Sequence, residues 1–143
     1  MFSKACNYGI RAMVYISQKS AKNQRAGIKE IAKAIESPEA FTGKILQQLS
    51  RKKLVESVKG PRGGFFITEE GRKMPLVKVV EAIDGDQLMK GCALGFSECS
   101  EERPCPLHNR FVVVRRELTR MLEETRLEEL SEGVVKGDAF LHK

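Results

Sequence analysis

The sequence predicts a mainly α-helical chain that carries one small β-hairpin. Three observations predict it. Apolar residues recur at helical spacing along much of the chain, as at Ile28, Ile31, Ala32 and Ile35. Only one stretch, "LVESVKGPRGGFFIT", alternates as strands do around a glycine-rich turn. A polar stretch, "CALGFSECSEERPCPLH", then divides this front part from a long amphipathic segment.

The first helix is expected from Ala5 to Ser17, where Tyr8, Ile10, Ala12, Met13, Val14 and Ile16 are apolar. A long run rich in Ala and Met suits a buried helix better than a strand. "KSAKNQRAG" reads as a polar loop, and the Ile28 to Ile35 repeat as a short amphipathic helix. In "SPEAFTGKILQQLSRKKL", Ser37 suits the cap, Pro38 the first helical position and Glu39 the positive end of the dipole. Ile45, Leu46 and Leu49 form the inward face of that helix. Two short helices joined tightly make a helix-turn-helix pattern. Its second helix would offer Glu39, Ala40, Phe41, Thr42, Gly43 and Lys44 to a major groove.

The hairpin turns at Gly60-Pro61-Arg62-Gly63-Gly64 and resumes at Phe65-Phe66-Ile67. Lys59, Pro61, Arg62 and Gly63 at its tip suit a phosphate or a narrow minor groove. A helix, a helix-turn-helix and a basic hairpin, in that order, describe a winged helix-turn-helix domain over residues 1–75. Charge agrees with a polyanionic partner such as double-stranded DNA. Residues 1–75 carry 15 Lys+Arg against 6 Asp+Glu, whereas residues 76–143 carry 10 against 13.

Residues 76–132 read as a connecting helix, a cysteine loop and a dimerisation helix, with a flexible tail over 133–143. "PLVKVVEAIDGD" supplies the connecting helix, from near Pro75 to Gly85, with Leu76, Val77, Val79, Val80 and Ile83 apolar. Beyond the cysteines, Phe111, Val114, Leu118, Met121, Leu122 and Thr125 share one helical stripe. So short a chain has little else to cover that stripe, so a second copy is the expected partner. "TRLEEL" fits a capping box, with Thr125 as cap and Glu128 three residues on.

The cysteine stretch has the spacing C-x6-C-x5-C-x2-H, formed by Cys92, Cys99, Cys105 and His108. Thiolates and imidazole suit Zn²⁺ or an iron–sulfur cluster. Paired C-x-x-C units, usual in structural zinc sites, are missing. No apolar run reaches 18 residues, and the N-terminus, broken by Lys4, Asn7 and Arg11, lacks the pattern of a signal peptide. A cytoplasmic protein without membrane association is expected, in which clustered cysteines bind metal or react rather than pair. No Ser-His-Asp set, phosphate loop or paired carboxylates stand out, so an enzyme is not expected.

These motifs together resemble the Rrf2 family of bacterial transcriptional regulators. The resemblance rests on "YGIRAMVYI", "IKEIAKAI", "KILQQLSRKKLVESVKGPRGGFFIT", "VVEAIDG", the three cysteines and "PLHNRF" running into the long helix. It implies a homodimeric DNA-binding repressor or activator carrying an iron–sulfur cluster, of the two-iron or four-iron type. The cluster loop would sit where the long helix of one subunit meets the first helix of the other. His108 matches the fourth ligand of some members. In others an acidic residue near the partner's N-terminus serves. That position falls on Asn7, a poor iron ligand, beside Cys6, a good one. The spacing between Cys92 and Cys99 departs slightly from the family's usual pattern.

Overall fold

The structure is a computed structural model that describes residues 1–142. Helix α1 spans Lys4–Ala21, α2 Ile28–Ala34 and α3 Glu39–Arg51. Strands β1, Glu56–Val58, and β2, Gly64–Phe66, follow. After a 3₁₀ turn at Gly71–Lys73 come α4, Leu76–Asp84, α5, Gln87–Lys90, α6, His108–Glu124, and α7, Leu127–Val135. The mainly helical fold with a single hairpin matches the expected class.

Helix α1 is the central element, and its N-terminus is well fixed. The Ser3 hydroxyl accepts from the Cys6 backbone N–H at 3.0 Å, which caps the helix. Ser3 in turn donates its backbone N–H and its hydroxyl to the Asp84 carboxylate at the end of α4. Gly9 lets α4 cross closely, because a Cβ there would lie 2.1 Å from the Ile83 side chain. Met13 and Ile16 of α1, Ile31 and Ile35, Leu46 and Leu49, Val79 and Val80, and Leu127 form one buried core. Residues of the rear helices α4 and α7 therefore share one core with those of α1, α2 and α3. The backbone agrees, since Leu76 donates to Thr125 at 2.8 Å and Leu127 to Met74 at 3.0 Å.

The hairpin is antiparallel, with Glu56 opposite Phe66, Ser57 opposite Phe65 and Val58 opposite Gly64. Its tip needs glycine. Gly60 has φ +105°, and a Cβ on Gly63 would lie 2.1 Å from the Val58 carbonyl oxygen. The expected polar loop before α2 adds a third rung. Ala26 and Phe65 exchange both backbone bonds, at 3.0 and 2.8 Å, so the wing is anchored to the helix-turn-helix.

Several boundaries and side-chain directions differ from expectation. Pro38 is the cap of α3 and helical residues start at Glu39. Ser37 bonds the Thr42 hydroxyl instead. At α7 the capping box starts one residue later, with Glu129 accepting from the Arg126 backbone at 3.2 Å. Residue 133, the expected start of a loose tail, lies inside α7. Beyond that helix Leu141 packs against the core, and Lys143 lies outside the described residues.

Candidate functional site

The first candidate site is the loop between α5 and α6. The loop makes two turns that bring its distant cysteines together. Gly95, at φ +78°, closes one turn by donating to the Cys92 carbonyl at 3.0 Å. Ser100 and Arg103 close the other through backbone and hydroxyl bonds of 3.3 and 3.2 Å. The loop's first end is held to α6 by Arg115, which donates to the Gly91 carbonyl at 2.7 Å. Its last end is held where His108 donates its backbone N–H to the Cys105 carbonyl at 3.0 Å.

As a result, the Sγ atoms of Cys92, Cys99 and Cys105 all lie within 4.8 Å of one another. Those of Cys92 and Cys105 are 3.6 Å apart. His108, the first residue of α6, sets Nδ1 3.1 Å from the Cys99 Sγ. All four cysteines of the chain are free thiols. Cys105 and His108 are buried, while Cys92 and Cys99 are half-exposed. Three converging soft donors with one imidazole beside them fit a thiophilic metal or cluster.

The loop also tunes its thiols. Desolvation raises the Cys92 thiol. Hydrogen bonds from the Phe96 and Leu94 backbone and from the Cys105 and Cys99 thiols outweigh it, and the net pKa falls to about 7. For Cys99 the Cys105 backbone pulls the other way, but desolvation and the two neighbouring thiols leave it raised. Gathered thiolates repel one another, so a cation among them relieves that repulsion.

Cys6, the alternative fourth ligand, lies elsewhere. It is 0 % exposed within the core of α1. Burial, with the Asp84 charge, pushes its thiol up to about 12. A cysteine binds metal as its thiolate, and a thiol sealed at 0 % exposure and held protonated this strongly offers none, so Cys6 in this setting is a core side chain.

The second candidate surface is formed by α3 and the wing. Glu39, Ala40 and Lys44 are exposed along α3, as are Lys59, Pro61 and Arg62 at the wing tip, where Gly63 is half-buried. Two residues of the expected reading face point inward. Thr42 is buried and donates to the Pro38 carbonyl at 2.8 Å. Phe41 is half-buried, edge-on to Tyr8 with ring centroids 5.5 Å apart. Gly43 lies against Ile28 of α2. Gln47 is exposed three residues after Lys44 and joins this face. Helical spacing from Glu39 and Lys44 was the available signal for it.

The third surface is α6. Val113, Val114 and Met121 are 60 %, 58 % and 46 % exposed, and Phe111 is partly exposed. Leu122 differs from its expected role. It is fully buried against the subunit's own core, with Leu118 packed beside that core. The stripe therefore splits into an inward edge and an outward edge.

Known proteins give this geometry a context. Residues 2–133 match the family model Rrf2, described as an iron-dependent transcriptional regulator. The chain belongs to the Rrf2 family. It is a transcriptional regulator rather than an enzyme. It is 24 % identical over 131 residues to the HTH-type transcriptional regulator NsrR of Oceanobacillus iheyensis, covering 89 % of this chain and 86 % of that one. Its fold superposes on that of CymR, the global cysteine regulator of B. subtilis, with a TM-score of 0.74 and 20 % identity over 92 % of this chain and 96 % of that one. T. potens IscR superposes with a TM-score of 0.73 and 17 % identity, over 97 % and 91 % of the two chains. As an Rrf2 winged-helix regulator, the chain presents a cysteine cluster compatible with metal binding. Among the described residues no helix is long and apolar enough to cross a membrane.

Proposed function

We propose that the protein is a homodimeric repressor or activator whose operator affinity is set by an iron–sulfur cluster. Cys92, Cys99 and Cys105 would hold the cluster, with His108 as the fourth ligand. The observation that carries this reading is the convergence of the three Sγ atoms within 4.8 Å, beside His108. When bound, a cluster supplies a centre that responds to oxidants, small ligands and iron supply. The chain's own residues would do the rest. Arg115 holds the loop to α6, and α6 offers its exposed Val113, Val114 and Met121 to a second copy. Glu39, Ala40, Lys44 and Gln47 would face base edges, and Lys59 and Arg62 the sugar–phosphate backbone.

Several features support iron over zinc. The family description is iron-dependent. The cysteines are singly spaced, and the resemblance to cluster-bearing members extends to His108. The test is anaerobic purification followed by an absorption spectrum and iron and sulfide counts. A coloured protein with both iron and sulfide is expected, and substitution of any one of Cys92, Cys99 or Cys105 by Ala should abolish the colour. A colourless protein holding zinc would replace this reading with that of a zinc-stabilised regulator. Operator affinity is then compared between loaded and empty protein at one salt concentration. A difference of about tenfold or more, about 1.4 kcal/mol, is expected of a switch. Equal affinities for every operator tried would reduce the cluster to a structural staple.

A further inference from the structure

We propose that the groove between the α1–α2 connection and the wing binds one phosphate of the DNA backbone, with Arg25 as its main ligand. This inference rests on the reading that α3 and the wing bind duplex DNA. The groove measures about 670 Å³ and is lined by Lys19, Asn23, Gln24, Arg25, Arg62 and Gly63. Its charged lining residues are all cationic. Lys19 is already paired with Glu30 at 3.4 Å, so Arg25 and Arg62 provide most of the groove's free positive charge. The adjoining hollow is lined by Glu69 and Arg72 as well as Arg25.

Arg25 is exposed, yet it is held in place. Its guanidinium lies 5.6 Å from the Phe66 ring centroid and donates from Nη1 to the Arg62 carbonyl at 3.2 Å. Its neighbour Ala26 is locked to Phe65 by two backbone bonds. A guanidinium has five N–H donors, and the Arg62 carbonyl leaves others available to a phosphate oxygen. Holding the planar fork beforehand lowers the entropy cost of binding. The groove shares Arg62 and Gly63 with the wing tip. A strand of DNA lying along the wing would therefore run past it.

The experiment uses the full-length, cluster-loaded protein and compares operator with unrelated duplex over a range of salt. Arg25→Ala is expected to weaken binding to both duplexes by a similar factor, about three- to tenfold. The slope of log affinity against log salt should fall by about one. Arg25→Gln keeps a donor for the Arg62 carbonyl but loses the charge, and it should flatten the slope as well. In an Arg62→Ala background, Arg25→Ala should flatten it again. If that second loss is absent, Arg25 acts only by holding the wing, and the phosphate site is overturned. Unchanged affinity and slope in Arg25→Gln, with weakened binding in Arg62→Ala, would also overturn it while leaving the DNA-binding reading intact. A wild-type protein that binds no duplex would remove both.

Discussion

Two cysteine environments coexist in the chain, and each side chain's surroundings decide its chemistry. Cys6 is sealed in the core, and its thiol keeps its proton to about 12 under desolvation and the Asp84 charge. Cys92 is half-exposed on a loop whose hydrogen bonds bring its thiol down to about 7. Brief alkylation of the cluster-free protein at neutral pH should therefore modify Cys92 early and leave Cys6 intact until the chain is unfolded. Peptide mass spectrometry after timed quenching reads this directly. Modification of Cys6 at the rate of Cys92 would show that the α1 core opens readily. The pH trend has a definite sign. Loss of the Cys92 proton near pH 7 should speed its alkylation as pH rises through that range, whereas Cys6 should not respond until far higher pH. Sequence spacing made the loop triad legible, because three cysteines and a histidine in one polar stretch have few other uses. The burial of Cys6 was not legible, since a lone cysteine in an amphipathic helix carries no mark of which way it points.

At the scale of elements, α6 separates what periodicity shows from what it hides. The stripe through Phe111, Val114, Leu118, Met121 and Leu122 predicts a helix with one apolar side. Periodicity does not say which body covers each edge of that side. In the structure Leu122 meets the subunit's own core, whereas Met121, Val113 and Val114 remain exposed. Two substitutions should then behave differently. Leu122→Ala should destabilise each subunit by about 2–5 kcal/mol through the cavity it leaves, read as a lower denaturation midpoint. Val114→Glu with Met121→Glu should leave the subunit fold intact but dissociate the proposed dimer, because docking would bury unpaired charge. Sedimentation in the presence of these charges, with a dimer still observed, would place the interface elsewhere. Thr42 teaches the same lesson on α3. Its position among the first turns suggests a base contact, but its bonds to Ser37 and Pro38 use it to fasten the turn between the two helices.

Across the whole molecule, the cysteine loop and the recognition helix are joined by a short chain of elements within one subunit. Arg115 ties the loop to α6, α5 leads back to α4, and Gln48 of α3 donates to the Ala82 carbonyl of α4 at 3.0 Å. A second route would run between the subunits of the proposed dimer, through the exposed face of α6, the helix that begins at His108. The sequence revealed the parts of both routes but not their order in space, because long-range packing such as Gln48 on Ala82 has no local signature. The two routes make different demands on DNA. A dimer with one recognition helix per subunit should favour a two-fold site with half-sites about one turn, ~34 Å, apart. If the cluster acts by setting the placement of the two subunits, its loss should change affinity for the full site and leave a single half-site nearly unaffected. Inserting half a helical turn between half-sites should then erase the difference between loaded and empty protein. If the cluster acts within each subunit along α5, α4 and Gln48, the half-site should lose as large a fraction of its affinity, and Gln48→Ala should uncouple it. Two arrangements of a shared element are needed in either case, since a cluster with equal affinity for both would shift nothing. The exposed Val113, Val114 and Met121 favour the inter-subunit route, because the cysteine loop leads directly into the helix that carries them. Binding measured on full, half and respaced sites at one salt concentration decides between them, and a loss on the half-site equal to that on the full site would defeat the inter-subunit route.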